Sequence, residues 1–115
     1  MKSLFFLSIL LLFSCTAQKK IGSKTNNLSG KQLAFTRNKG NCLACHEIED
    51  GDSPGNIGPP LKAIQNRFKT KQLLRQQIWD ATQFNPETSM PPFGKNKILS
   101  ELEIDKIVDY IWRLK

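Results

Sequence analysis

Two cysteines and a histidine share one short segment, Cys42-Leu43-Ala44-Cys45-His46. Thiols at this spacing lie on one turn of helix, and an imidazole next to the second can be aimed at whatever the thiols hold. This is the spacing of the C-x-x-C-H haem attachment motif. On that reading Cys42 and Cys45 form thioethers to one covalently bound haem c, and His46 ligates its iron. Three other chemistries also use paired cysteines. A thioredoxin-like C-x-x-C requires a surrounding βαβ pattern, which the sequence does not offer. A structural zinc site takes four Cys or His ligands, and the mature domain holds three. A simple disulfide is permitted in a secreted protein.

A haem iron has a second axial position. His46 is the sole histidine, so a bis-histidine haem within one subunit is impossible. Met1 leaves with the leader described below, which makes Met90 the one methionine of the mature chain. It lies in Asn85-Pro86-Glu87-Thr88-Ser89-Met90-Pro91-Pro92-Phe93-Gly94, where three prolines and a glycine fix the backbone around an otherwise soft thioether. His46 and Met90 are therefore the expected axial ligands, with Met90 as a core gap-filler the structural alternative. His/Met ligation raises the potential of a c-type haem and favours electron transfer over oxygen binding.

Three helices must position these groups. The first begins at Ser29 as N-cap, carries Leu33, Ala34 and Arg37, and runs out at Gly40. The second spans about Thr70 to Thr82, with Leu73, Leu74, Ile78 and Ala81 on one face. Trp79 lies beside that face, where core packing is the expected role and lining a pocket the alternative. The third opens with a capping box, Ser100-x-x-Glu103, and repeats Ile104, Ile107, Val108, Ile111 and Leu114 at helical spacing. Between the first two lies Gly55-Asn56-Ile57-Gly58-Pro59-Pro60-Leu61, too rich in turn residues to be helical. No segment alternates with period two, so the expected fold class is all-α.

The N-terminus reads as an address. Met1-Lys2 is followed by an apolar stretch from Leu4 to Phe13, too short to span a bilayer, and then by Leu12-Phe13-Ser14-Cys15, which resembles a bacterial lipobox. Residues 1–14 are expected to be a signal peptide cleaved before a lipidated Cys15; the alternative is an incidental cysteine in a differently processed leader. Residues 15–28 would be a flexible tether and 29–115 the domain. A lipid on Cys15 would hold the protein on the periplasmic side of a bacterial membrane. The chain of 115 residues has 17 Lys+Arg against 10 Asp+Glu, a net charge of +7 that falls to +6 when Lys2 is removed. Its basic residues are scattered as on an ordinary solvated surface, with a docking face for an acidic partner as the alternative. No motif supports nucleic-acid binding. A domain of roughly 85 residues buries only about 60–65% of its unfolded surface, so a haem would add apolar mass that the core needs.

The attachment segment, the Gly55–Leu61 turn, Arg67, Leu74-Arg75 with Ile78-Trp79-Asp80-Ala81, the Asn85–Gly94 loop and the ending Ile98 to Ile111 occur together and in order. In that combination the domain resembles SoxX, the monohaem c-type cytochrome subunit of the SoxAX complex of bacterial thiosulfate oxidation. The resemblance implies a class I cytochrome c-like fold. It also implies that Pro59 gives its carbonyl to the Nδ1–H of His46, setting the ring's orientation and basicity; the alternative is that Gly58-Pro59 is only a tight turn. The first and last helices would cross at Gly30 or Ala34 against Tyr110 or Ile111. A SoxA-like haem subunit would be the partner and carry the sulfur chemistry, joining thiosulfate to a cysteine of the SoxYZ carrier. This chain would accept the electrons, pass them to an acceptor cytochrome or oxidase, and supply no catalytic residue. The rival expectations are a free-standing membrane-tethered shuttle to a terminal oxidase, and a redox sensor that exchanges Met90 for a gaseous ligand.

Overall fold

A computed structural model describes residues 27–115. The expected leader, Cys15 and all of the expected tether except Asn27 and Leu28 lie outside the described residues. Among those described there are three α-helices, α1 (Gly30–Phe35), α2 (Lys71–Trp79) and α3 (Glu101–Ile111), with 3₁₀ turns at Cys42–Ala44, Ile64–Asn66 and Ala81–Gln83 and no strand. None of these helices is long and apolar enough to cross a membrane.

Helix α3 forms where its capping box predicts. The Ser100 hydroxyl accepts from Glu103 N–H at 3.3 Å, and the Glu103 carboxylate accepts from Ser100 N–H at 2.9 Å. Its apolar stripe, Ile104, Ile107, Val108 and Ile111, is buried. Full burial of such a side chain stabilises by about 1.5–3 kcal/mol relative to exposure.

Helix α1 starts at the expected cap but is shorter than expected. Ser29 and Gln32 make a second capping box, and the helix ends at Thr36 rather than running to Gly40. Thr36 turns both its N–H (2.9 Å) and its hydroxyl (2.6 Å) onto the Gln32 carbonyl, and Gly40 N–H then closes back on the Leu33 carbonyl at 3.0 Å. Six residues make a helix too short to stand alone. What holds it is its crossing with α3. A Cβ on Gly30 would lie 2.0 Å from the Lys106 carbonyl oxygen and 2.8 Å from Tyr110 Cβ, so only glycine lets the backbones meet this closely. Phe35 and Tyr110 pack edge to face across the same crossing, with centroids 6.2 Å apart.

Helix α2 begins at Thr70, whose hydroxyl caps Leu73 N–H at 3.2 Å. It ends at Trp79 rather than Thr82, because the Asp80 carboxylate caps the next turn, accepting from Thr82 N–H at 3.1 Å and from the Thr82 hydroxyl. Asp80 is 2% exposed and also meets Lys95 Nζ at 3.2 Å. The Thr82 hydrogen bond, against the effect of burial and with help from Lys95, holds its carboxyl below the ordinary aspartate range. Ion pairs lace α2 to α3: Lys71–Asp109 at 2.7 Å, Arg75–Asp105 at 2.6 Å and Arg75–Glu101 at 3.3 Å. The chain end closes the core, with Leu114 buried and its carbonyl accepting from Ala63 N–H at 3.2 Å.

Candidate haem site

The attachment segment is a 3₁₀ turn fastened to α1. Asn41 adopts a left-handed conformation (φ 47°, ψ 38°) that starts the turn Cys42–Ala44. His46 N–H then donates to the Cys42 carbonyl at 2.9 Å, which keeps the two thiols and the imidazole on one compact coil. The next loop wraps this coil. Gly55, Gly58 and Leu61 donate their N–H groups to the carbonyls of Leu43, Cys45 and Glu47, each at 2.8 Å.

That wrapping fixes the imidazole. His46 Nδ1 donates to the Pro59 carbonyl at 2.7 Å, so Nε2 is left as the nitrogen with a free lone pair. Arg67 Nη2 donates to the neighbouring Pro60 carbonyl at 2.6 Å and braces the same loop.

Cys42, Cys45, His46 and Met90 all line one cleft of about 740 Å³. Between them its wall is apolar, built from Ile64, Leu74, Ile78, Phe93, Leu99 and Ile107. The volume falls in the range of cofactor pockets, about 300–1,000 Å³. Met90 is held from two sides. Its N–H donates to the Thr88 hydroxyl at 3.2 Å, and its Sδ accepts from Gln77 Nε2 at 3.9 Å. Downstream, the N–H groups of Gly94 and Lys95 donate to the Trp79 carbonyl at 3.1 and 3.2 Å, which ties the Met90 loop to the end of α2. Trp79 stacks on Gly94, where a Cβ would lie 2.1 Å from the indole, and it is not among the cleft-lining residues. Core packing is its role.

Cys42 and Cys45 are both half-buried at the cleft. Desolvation pushes the Cys42 thiol up to about 11. Among the described residues no three or more His, Cys, Asp or Glu cluster as a metal site.

Residues 26–111, three-quarters of the chain, match the family described as cytochrome c oxidase, cbb3-type, subunit III. The chain belongs to this cytochrome c family. An "uncharacterized lipoprotein" of Aquifex aeolicus (strain VF5) is 35% identical to the cytochrome over 77 residues, 64% of this chain. The chain spans only 36% of that protein's length. Among solved structures, that of SoxXA from P. pantotrophus superposes with a TM-score of 0.67 and 29% identity, covering 75% of this chain and 79% of that one. The fold is a small all-α, class I cytochrome c-like fold, and membership of this cytochrome c family implies a covalently bound haem c and an electron-transfer role. Its residues fit that group. Two thiols, an imidazole with Nε2 free, a thioether and an apolar wall converge on one cleft of suitable size.

Residues given no individual role by the sequence also reach the site. Gly58 lies against the imidazole: a Cβ there would be 2.2 Å from His46 Cε1. Gln77 and Lys39 line the cleft. Lys39 pairs at 2.7 Å with Glu103, whose side chain is only 8% exposed. Burial works to raise the Glu103 carboxyl, but Lys39 and the Ser100 N–H outweigh it and hold it below its ordinary range.

Proposed function

We propose that this cytochrome is the electron-accepting, SoxX-like subunit of a two-protein thiosulfate-oxidising complex. The observation that carries the reading is the likeness to SoxXA, 29% identity with a TM-score of 0.67 over most of the domain. The ordered motifs from Gly40 to Ile111 support it.

Cys42 and Cys45 would hold one haem c through two thioethers, each thiol's S–H adding across a vinyl group so that no oxidant is needed. His46 through Nε2 and Met90 through Sδ would hold its iron, with Pro59 keeping the imidazole in place through Nδ1. The haem would supply one-electron storage. Pro59 and Thr88 keep His46 and Met90 aimed into the cleft. No residue of this chain transfers sulfur: Cys42 and Cys45 are committed to haem, and Cys15 to lipid. The protein is lipid-anchored at Cys15 on the periplasmic side of a membrane, in keeping with the leader and with the lipoprotein relative.

Affinity capture of the haem-loaded chain from native membranes tests the reading. A SoxA-like haem protein should co-purify, and thiosulfate should reduce the haem in its presence. A monomer indifferent to that partner overturns it. The match to the cbb3-type subunit III family favours a second reading, a tethered shuttle that delivers electrons to a terminal oxidase without a sulfur-oxidising partner. Capture of oxidase subunits in place of the SoxA-like protein is its signature.

A further inference from the structure

Helix α2 turns one polar side chain into an apolar wall. Leu74 and Ile78 are buried and line the cleft, and Gln77, between them in the sequence, lines it too. A half-buried amide on such a face is more favourable with a hydrogen-bond partner than without one. The partner here is a thioether, with Gln77 Nε2 3.9 Å from Met90 Sδ. Sulfur of this kind is a weak acceptor, so the contact adds little to folding stability. Its consequence is electronic.

We infer that Gln77 is a positioning residue for Met90, occupying one sulfur lone pair with an amide N–H so that the other faces the iron and is a weaker donor. This rests on the reading of Met90 as an axial ligand. A thioether has two lone pairs. Held by the Gln77 amide on one side, its free pair points in one direction, and the hydrogen bond draws electron density from the sulfur. Weaker donation favours ferrous over ferric iron, so the hydrogen bond raises the potential. Hydrogen bonding around an axial ligand is one of the levers by which a protein tunes such a centre. The Thr88 hydroxyl fixes the Met90 backbone from the other side, so the amide acts on a sulfur already placed.

The test uses the haem-loaded full chain and two variants. Gln77→Leu removes the amide with little change in volume, and Gln77→Ala removes it without adding charge. Midpoint potential, the methionine-to-iron charge-transfer band and the thermal midpoint are read together. In both variants the ferrous/ferric ratio at a fixed ambient potential should fall several-fold, up to about tenfold, which for a one-electron couple is 59 mV. The band should weaken or shift, with haem still attached. A potential and band unchanged in both, even if the thermal midpoint drops, overturns the inference and leaves Gln77 a packing residue. A wild-type protein with no such band overturns it differently, by removing Met90 as the ligand. Should Gln77→Leu fail to fold, the potential and band of the uncharged Gln77→Ala variant alone still decide whether the amide acts on the sulfur.

Discussion

Gly58 presses its Cα against the imidazole of His46 so closely that a methyl group there would lie 2.2 Å from Cε1 and 2.5 Å from Nδ1. The ring cannot swing away without leaving the Pro59 carbonyl, 2.7 Å from Nδ1. Gly58→Ala should therefore destabilise by about 1–3 kcal/mol, the usual cost of overpacking. It should also lower the yield of haem-loaded protein. Thermal unfolding and haem stain per unit protein measure the two effects, and wild-type values for both would refute the account.

The α1–α3 crossing is tighter still. Gly30→Ala gains about 1 kcal/mol of helix propensity, but its Cβ meets the Lys106 carbonyl oxygen at 2.0 Å, a backbone atom that cannot rotate aside. The clash should dominate and cost about 2 kcal/mol net. For a domain this size, Tm should fall by roughly 4–8 °C per kcal/mol. An unchanged Tm would mean the two helices can separate without loss.

Lys39 and Glu103 form the most enclosed ion pair, with side chains 18% and 8% exposed. Lys39→Met leaves a buried carboxylate without its cation and should cost about 3 kcal/mol at neutral pH. The folded Glu103 carboxyl lies below its ordinary value, so its contribution is present above about pH 4.5 and is lost as pH falls through the depressed value. Acid titration of stability should be shallower in Lys39→Met than in wild type. Parallel curves below about pH 4.5 would count against the pair.

Ala63 stands at φ 44°, ψ 46°, left-handed backbone that costs an L-residue about 1–2 kcal/mol. Ala63→Gly relieves that strain but loosens the unfolded chain by about 0.4–1 kcal/mol. The balance should be a gain of about 0.5–1 kcal/mol in denaturant unfolding. A loss of stability would show that the methyl packs better than its backbone suggests.

Met90→Ala tests the sixth ligand. Haem should stay attached through Cys42 and Cys45 while the charge-transfer band disappears and carbon monoxide binds the ferrous protein readily. A band that persists would mean another arrangement holds the iron.

Much of the fold and the site is legible in the chain itself, for identifiable reasons. Cys42, Cys45 and His46 announce themselves by spacing, and α3 by a stripe and a capping box that agree. The ends of α1 and α2 are not legible, because Thr36 and Asp80 stop them with side-chain hydrogen bonds, and either residue is also tolerated inside a helix. Lys39 reads as one more solvated base, and its pairing with Glu103 spans 64 positions that no local pattern links. Gln77 is a good helix former between apolar neighbours and reads as an ordinary surface residue. Only the fold brings it to Met90.

The carbonyl of Trp79 accepts from both Gly94 and Lys95, so the loop of Met90 and the helix of Gln77 are one mechanical piece. For a carrier, that matters at the instant an electron arrives. Surroundings that are already in place need little reorganisation when the charge changes, and the speed of exchange is then governed by how close a partner can come rather than by what the protein must move to receive it.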